Sequence, residues 1–257
     1  MSATIAAIYR YPVKGLSAHP MPAATLTEGE TLPFDRAYSI ENGQGRFDEA
    51  NPKHLPKINF LMQMRDERLA KLEARFDETS EILTINRDGK QVARGDLGTM
   101  SGRAIIEQFF SAYMENELRG PPKIKRATGH SFSDVSAKCV HIVNAASIKE
   151  IERETGRSID VRRFRPNIVV HGLPAWQEFT WVGKHINAGS ARLHVFKRTE
   201  RCAATNVNPT TGNRDVDIPA VLQRQWGHTD FGIYARVVDS GLIHNGDAVS
   251  VSQNDQK

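Results

Sequence analysis

The chain contains 257 residues, and its 39% hydrophobic and 25% charged residues are ordinary proportions for a globular protein that is large enough to bury a full core. Its formal net charge of +4 would permit nucleic-acid binding, but the basic residues are scattered among acidic ones without interleaved aromatics, so we expect no nucleic-acid partner. Because Cys139 and Cys202 are its only cysteines, the chain cannot hold a cysteine-ligated iron–sulfur cluster or a disulfide framework.

The N-terminus and the hydropathy of the chain give an expectation for its location. The N-terminus lacks the basic region and the long apolar core of a signal peptide, and no run approaches the ~20 apolar residues that span a bilayer. We therefore expect a cytoplasmic protein with reduced cysteines and without a membrane partner.

The first predicted strand covers residues 4–11, which are rich in β-branched and aromatic side chains and stop at Pro12. It leads into a loop that contains Lys14 and Gly15. Lysine side chains are mostly exposed, so composition alone favours an exposed loop lysine at position 14.

A second strand is predicted over residues 34–40, and it contains Arg36. A planar guanidinium group held on a strand suits a phosphate, because it can donate two parallel hydrogen bonds. The alternative is an arginine on the strand surface that pairs with Asp35 or Glu41. Both interpretations stay open at this point.

The middle of the chain is predicted to form a wall rather than a reactive site. Residues 60–92 alternate between apolar and charged side chains and contain an Asp88-Gly89 turn, a pattern typical of a β-meander with one solvated face. Residues 101–115 carry apolar side chains at helical spacing, which predicts an amphipathic helix whose aromatic residues belong to the core.

A buried strand over residues 138–143 is predicted next, followed by a helix over residues 144–154 that ends near Gly156. Cys139 alternates into the apolar side of the strand and is most simply a small core residue. Ser147 lies near the helix start, where its hydroxyl can cap the helix or bind an anion together with neighbouring N–H groups. We favour capping.

Polar side chains stand directly before a short apolar run at residues 168–170. Arg163, Arg165 and Asn167 precede this predicted strand, and Pro166 restricts the backbone between them. This order places two guanidinium groups and an amide directly beside a buried strand.

A strand predicted over residues 193–198 ends in a turn-rich loop that carries Cys202. Pro209 and Gly212 shape this loop, and its short hydroxyl and amide side chains suit a polar ligand. Since Arg198 and Arg201 flank the cysteine, we expect its thiol to be biased toward the thiolate. The loop is therefore a candidate site.

The last part of the chain is predicted to contain a helix and two strands. A helix over residues 218–226 has Pro219 in its first turn and ends at Gly227. The strands are predicted over residues 232–238 and 248–252.

Two of these segments together resemble a known family. Arg-Phe-Arg-Pro-Asn at residues 163–167, paired with Arg-Cys-x-x-Thr-x-Val-x-Pro-x-Thr-Gly at residues 201–212, resembles the MOSC domain, named after the C-terminal part of molybdenum cofactor sulfurases. Tyr-Pro-Val-Lys at residues 11–14 and Asp-Arg-Ala-Tyr at residues 35–38 resemble the N-terminal β-barrel domain of the same family. The resemblance covers nearly the whole chain and is strongest to the branch that contains the mitochondrial amidoxime reducing component and its bacterial relatives.

The resemblance implies an α+β, β-rich fold with an N-terminal β-barrel-like lobe and a MOSC β-barrel with peripheral helices. The implied domains cover approximately residues 1–120 and residues 121–257. Because Lys14 and Arg36 must meet Cys202 across more than half of the sequence, we expect the two lobes to be interleaved, with the site between them.

The resemblance also implies a binding site for the molybdenum cofactor, in which Cys202 completes the coordination of the metal. Lys14 and Arg36 would contact the pterin phosphate. Gly15 replaces a serine of the family, so a backbone N–H stands where the family offers a hydroxyl. The other implied contacts are Ser147, Arg163, Arg165, Asn167 and Thr205. Which of the two arginines faces inward is left open.

The implied function is the reduction of small N-hydroxylated compounds by removal of an oxygen atom at the Cys202-ligated molybdenum. The chain ends at Lys257 without spare cysteines, so we expect a separate electron-donor protein of the ferredoxin, flavin reductase or cytochrome type. The alternative is a non-catalytic carrier of molybdenum cofactor, or of sulfur as a Cys202 persulfide. A cofactor-free structural domain is disfavoured by the number of matched segments. Pyridoxal phosphate binding enters only as a family-level association.

Overall fold

A closed seven-stranded β-barrel forms the larger lobe of the protein in the computed structural model, which describes residues 3–43 and 45–252. The strands are β1 (Ala3–Arg10), β2 (His19–Met21), β3 (Ala23–Leu26), β4 (Tyr38–Asn42), β5 (Glu73–Phe76), β6 (Ile82–Arg87), β7 (Lys90–Asp96), β8 (Pro122–Arg126), β9 (Val140–Asn144), β10 (Ile168–His171), β11 (His185–Ala188), β12 (Ala191–Glu200), β13 (Asp230–Asp239), β14 (Gly241–His244) and β15 (Ala248–Val251). The helices are α1 (Met100–Tyr113), α2 (Ala145–Thr155) and α3 (Ile218–Trp226), with 3-10 turns at Lys57–Asn59, Glu67–Lys71, Val161–Phe164, Gln177–Trp181 and Ala203–Asn206.

The barrel contains the first strand of the chain. Its strand order is β10, β9, β13, β12, β11, β15 and β1, and it closes where β1 pairs antiparallel with β10, for example at Ile8 and Ile168. All the neighbouring strands are antiparallel except β9 and β10, which are parallel. Alternate residues such as Leu193 and Val195 point inward and are fully buried, as a half-buried strand requires. The two lobes are therefore interleaved along the sequence.

The smaller lobe is built from residues between β1 and β9. It contains a three-stranded meander, β5, β6 and β7, and a two-stranded ribbon, β4 and β8. Helix α1 packs on the meander, and its Ile106, Phe110 and Tyr113 side chains are buried in the core of this lobe. The predicted hairpin turn at Asp88-Gly89 joins β6 to β7, and the assignment of the α1 aromatics to the core is confirmed.

Three helix predictions agree with the structure. Helix α1 begins one residue before the predicted start and ends two residues before the predicted end. Helix α2 ends at Gly156, whose left-handed backbone accommodates the turn that stops the helix. Helix α3 begins and ends at the predicted residues, with Gly227 as its C-cap. The predicted β-rich α+β class, with a closed barrel and peripheral helices, is confirmed.

Two strand predictions were wrong. Residues 34–37 form a turn, because Phe34 and Arg36 adopt φ of 59° and 53°, and strand β4 begins only at Tyr38. Residues 60–71 form loops and 3-10 turns rather than the first strand of the meander, since the Asp66 carboxylate accepts a hydrogen bond from the Met62 N–H and closes a local turn. Alternating apolar residues alone did not distinguish these turns from a strand.

Within residues 3–43 and 45–252, no helix is both long enough and apolar enough to cross a membrane.

Candidate functional site

A cavity of about 300 Å³ lies between the two lobes. The smaller lobe contributes the turns around residues 14, 36 and 62, and the barrel contributes the segments around residues 140, 165 and 202. Seven cationic side chains line the cavity: Lys14, Arg36, Lys57, Arg163, Arg165, Lys197 and Arg201. The carboxylates that line it are Asp35, Asp134 and Glu200. This excess of positive charge suits an anionic ligand, and the volume is that of a small-molecule site.

Lys14 is a buried residue, not the exposed loop lysine that composition favours. Its ammonium group donates a hydrogen bond of 2.8 Å to the Phe132 carbonyl oxygen and forms an ion pair with Asp134. Burial lowers the pKa of Lys14, and the Asp134 charge opposes that effect. Burial alone would raise the pKa of Asp134, but the charge and hydrogen bond of Lys14 bring it down to about 2. The Asp134 carboxylate is therefore ionised at neutral pH.

Gly15 follows in a backbone conformation that favours glycine. Its φ is +85°, and a Cβ atom at this position would lie 2.9 Å from the Leu61 carbonyl oxygen. A serine in the same conformation would collide with that oxygen and strain the backbone. The loss of the hydroxyl at this position thus follows from how the loop packs on Leu61.

Arg36 and Arg165 meet at one end of the cavity. Their guanidinium carbons lie 4.7 Å and 4.2 Å from the centroid of the Tyr11 ring. Arg36 forms an ion pair with Asp35 and donates a hydrogen bond of 3.2 Å to the Arg165 carbonyl oxygen. The ion pair with Asp35 matches the interpretation of Arg36 as a structural arginine. Its position on the cavity wall is compatible with the interpretation as a phosphate ligand. The ion pair does not by itself exclude that ligand role.

Arg165 retains capacity for a ligand. It donates a hydrogen bond of 2.7 Å to the Leu16 carbonyl oxygen, but its Nη2 atom is buried without a partner in the described part of the chain. Burial and the neighbouring Arg36 charge lower the pKa of Arg165 to about 10. The group stays protonated at neutral pH, and an anion in the cavity would stabilise it.

Arg163 has more of its donors occupied by protein groups, although its Nε atom is also buried without a partner among the described residues. Its Nη2 atom donates hydrogen bonds of 2.6 Å and 2.8 Å to the two carboxylate oxygens of Asp215, and Nη1 donates one of 3.1 Å to the Asn206 carbonyl oxygen. These contacts attach the loop after Cys202 to the segment before β10. Arg163 therefore has a visible structural role, and each of the two arginines keeps one buried nitrogen without a partner in the described part of the chain.

Asn167 also connects elements of the barrel. Its Oδ1 atom accepts a hydrogen bond of 3.0 Å from the His141 backbone N–H, and its Nδ2 atom donates one of 3.2 Å to the Tyr9 carbonyl oxygen. The side chain thus joins β9 to β1 at the cavity wall. Its contact with a ligand stays a prediction.

Cys202 is half-buried and precedes the 3-10 turn Ala203–Asn206. The Lys57 Nζ atom lies 3.3 Å from its sulfur atom and donates a hydrogen bond to it. The hydroxyl of Thr205 donates a hydrogen bond of 2.9 Å to the Cys202 carbonyl oxygen, so Thr205 stabilises the turn. Thr205 is fully buried and is absent from the described residues that line the cavity.

Arg201 lies beside the cysteine. It donates a hydrogen bond of 2.8 Å to the Phe164 carbonyl oxygen, and its Nε atom is buried without a partner in residues 3–43 and 45–252. Burial lowers the pKa of Arg201. Like Arg165, it is a cation with incomplete protein partners.

Ser147 lies elsewhere, and the prediction that it caps α2 was wrong. Asn144 is the N-cap, because its side-chain oxygen accepts the Ala146 N–H at 3.0 Å. The Ser147 hydroxyl donates to Glu178 at 2.8 Å and accepts the Trp176 N–H at 2.9 Å. Ser147 does not appear among the described cavity-lining residues, so its predicted contact with the cofactor has no geometric support.

Sequence reasoning did not identify every lining residue. Cys139 is buried as expected, and burial raises the pKa of its thiol to about 12, but it also lines the cavity together with His141 and Tyr234. The period of two along β9 places residues 139 and 141 on one face, a signal that was available. Lys57 gave no signal, since it lies in a loop rich in proline and basic residues.

The chain belongs to the MOSC family. Residues 127–250 match the MOSC domain, and residues 2–117 match the MOSC N-terminal beta barrel domain. The placement of the domain boundary near residue 120 stays a prediction, since β1 is part of the barrel that the later strands complete.

Several curated proteins are similar to this chain. Mitochondrial amidoxime reducing component 2 of Bos taurus is 30% identical over 56% of this chain and 45% of its own length. Mitochondrial amidoxime-reducing component 1 of Mus musculus is 28% identical over 96% of this chain and 81% of its own length. Molybdenum cofactor sulfurase of Bos taurus is 23% identical over 91% of this chain and 30% of its own length. The chain thus spans less than half the length of some of the relatives that it matches.

Solved structures show more distant likenesses. The YUAD protein from Bacillus subtilis has a TM-score of 0.44 at 13% identity, covering 98% of this chain and 96% of its own. YiiM from Geobacillus stearothermophilus has a TM-score of 0.36 at 20% identity, covering 44% of this chain and 54% of its own. These scores are too low to carry a conclusion. None of the relatives named here refers to pyridoxal phosphate, so that association gains no support.

Proposed function

We propose that this protein binds molybdenum cofactor in the cavity between its lobes and reduces small N-hydroxylated compounds with electrons from a separate donor protein. Membership of the MOSC family and relatives named for amidoxime reduction support the proposal. The observation that carries it is one cavity in which the Cys202 thiol and incompletely paired arginines face a shared space.

The residues present fit such a cofactor. A metal that takes one sulfur ligand from the protein needs an accessible cysteine, and Cys202 supplies a half-exposed one at the cavity. A phosphate needs several N–H donors and positive charge, and Arg165 and Arg201 each keep a buried nitrogen without a partner among the described residues. One cavity therefore provides both the sulfur ligand and the donors for a phosphate. An arginine cluster with a purely structural role would not need this combination.

Within the proposal, the two ends of the cavity have different tasks. Arg36 and Arg165, which gather around Tyr11, would hold the phosphate and pterin together with Lys14, which lines the same cavity. Cys202 would hold the metal. When bound, the molybdenum group would supply two-electron chemistry for removing oxygen from an N–O bond.

The protein's own groups would orient the reaction and keep its charges in place. Arg163 and Asp215 hold the loop that carries Cys202, so the position of the sulfur atom would be fixed before the cofactor binds. Arg201, beside the cysteine, provides positive charge at the cavity wall. The overall reaction consumes two electrons and two protons for each N-hydroxyl group and releases the amine or amidine and water.

The electrons must enter from outside the described fold. The two cysteines of the chain cannot hold an iron–sulfur cluster. A ferredoxin, a flavin reductase or a cytochrome would each serve as the donor, and the surrounding positive charge suits an anionic substrate or partner.

Expression in a host that makes molybdopterin, compared with a host that lacks its synthesis, tests the proposal. Protein from the competent host should contain molybdenum and pterin close to one per chain, and it should reduce an N-hydroxylated amidine with a chemical reductant. Protein from the deficient host should do neither. Bound cofactor without turnover would favour the carrier function, and a molybdenum-free protein from the competent host would refute the proposal.

A further inference from the structure

The contact between Lys57 and Cys202 joins the two lobes at the sulfur end of the cavity. Lys57 belongs to the 3-10 turn Lys57–Asn59 of the smaller lobe, and its ammonium nitrogen lies 3.3 Å from the Cys202 sulfur atom. The side chain is 31% exposed, so most of it is packed between the lobes. It is the one side chain that donates a hydrogen bond to this sulfur within residues 3–43 and 45–252.

Asp134 lies near Lys57, at the outer limit of an ion pair. Its Oδ2 atom lies 4.0 Å from the Lys57 ammonium nitrogen, while its Oδ1 atom pairs with Lys14. The carboxylate therefore lies between two ammonium groups, and Lys14 is the closer partner. Lys57 keeps positive charge and N–H donors to direct at the sulfur, and a row of charged groups connects the Lys14 end of the cavity to the Cys202 end.

We propose that Lys57 is a positioning residue that holds the Cys202 sulfur with a hydrogen bond from the opposite lobe and tunes the metal that this sulfur would ligate. The inference rests on the proposed function. Groups that hydrogen-bond to metal ligands orient those ligands and change the electron density that they deliver. A cation that donates to a ligating sulfur makes reduction of the metal easier, so it raises the reduction potential.

The neighbouring Arg201 does not replace Lys57 in this role. Its Nη2 atom donates to the Phe164 carbonyl oxygen, and the structure records no hydrogen bond from Arg201 to the sulfur. Arg201 contributes charge at a distance, whereas Lys57 contributes a directed contact. The two contributions can be distinguished experimentally, because only the hydrogen bond from Lys57 depends on the geometry of the donor.

The test compares the molybdenum-loaded wild type with Lys57→Met, Lys57→Arg and Lys53→Met. Methionine keeps the length of the side chain and removes the donor, while arginine keeps charge and donors. Lys53 is exposed in the same loop and is the matched control for loss of one charge. The measurements are molybdenum content per folded chain, the midpoint potential from a redox titration, and kcat and KM with a chemical reductant.

Lys57→Met should shift the midpoint potential to a more negative value and lower kcat about ten- to a hundredfold with little change in KM. Lys57→Arg should recover part of both, and Lys53→Met should match the wild type. Normal potential and kcat in Lys57→Met would overturn the role of Lys57 and leave the proposed function intact. A wild type without molybdenum would instead overturn the proposed function, and the role of Lys57 with it.

Discussion

Two cysteines line the cavity, one just before strand β9 and one on a loop, and they differ in burial and in hydrogen bonding. Cys139 precedes β9 among packed side chains, and burial raises the pKa of its thiol to about 12. Cys202 lies on a loop, is half-buried and receives a hydrogen bond from Lys57. The comparison shows that facing a cavity does not make a thiol reactive; the element that carries it decides which groups can approach.

The largest expected effect that tests this difference is the loss of turnover in Cys202→Ser. A serine hydroxyl is hard and mostly protonated, so it cannot replace a soft thiolate on molybdenum. Reduction of an N-hydroxylated substrate by chemically reduced enzyme should fall to background. Cys139→Ser places a hydroxyl at a buried position on the cavity wall and should cost about 1–3 kcal/mol of unfolding free energy while activity per folded molecule stays close to wild type.

Molybdenum analysis alongside the activity assay separates the two roles. Full activity in Cys202→Ser with molybdenum still bound would contradict both the enzyme and the carrier hypotheses. An equal loss of activity in Cys202→Ser and Cys139→Ser would show that the side of the cavity that carries Cys139 also takes part in the chemistry. The two cysteines would then not differ in function.

A smaller effect is expected from the two arginines before β10, and it should differ in kind between them. Arg165→Met should weaken cofactor retention about ten- to a hundredfold, because it removes charge-assisted contacts of about 1.5–3 kcal/mol. Arg163→Met should instead lower the unfolding free energy by about 3 kcal/mol, since it breaks the ion pair with Asp215. That value is at the low end of the range because the Asp215 side chain is 29% exposed.

Urea denaturation and molybdenum content, both measured on the same preparations, check this prediction. Arg162→Met is the matched control, because Arg162 is exposed and pairs locally with Asp160. The same loss of molybdenum in all three variants would indicate a general charge effect rather than a specific anion contact.

The smallest effect concerns alkylation of cofactor-free protein. At about pH 8, iodoacetamide should modify Cys202 first, because Cys202 is half-exposed on a loop and Cys139 remains a buried thiol. Raising the pH by about one unit should not recruit Cys139, whose pKa of about 12 keeps it protonated. Peptide mass spectrometry gives the order of labelling, and early modification of Cys139 in folded protein would contradict it.

The raised pKa of Cys139 also determines the direction in which the free energy of unfolding changes with pH. The folded state favours the protonated thiol, so its contribution is fully present below the ordinary thiol value of 9.0 and is lost as the pH rises from there toward about 12. Cys139→Ala should remove this part of the alkaline loss of stability.

Much of the fold was predictable because local signals agreed with tertiary packing. Helix α3 has proline in its first turn and glycine at its end, and both positions are where the backbone geometry prefers them. The apolar run at residues 168–170 became a barrel strand as expected. The segments that resemble the family also meet at one cavity, which composition alone did not indicate.

The wrong predictions arose where a local side chain competes with the regular pattern. Asn144 and Ser147 both lie near the start of α2, and only the packing of Glu178 against Ser147 shows which of them caps the helix. Arg36 lies in a left-handed turn because its neighbour Asp35 accepts a hydrogen bond from the Tyr11 backbone N–H. Lys57 depends on contact between distant lobes, and a single sequence does not encode that contact in any local spacing.

The place of β1 in the barrel has a consequence for how the protein is made. Strand β1 is synthesised long before its partners β10 and β15, which lie far along the chain. At synthesis rates of roughly 5–20 residues per second, β1 waits on the order of 10–30 s before β10 can pair with it. An apolar strand edge stays open during that time and is a natural substrate for chaperones. Any ligand of the cavity would then bind late, because the cavity does not exist until its last lining segment, around Tyr234, has been synthesised.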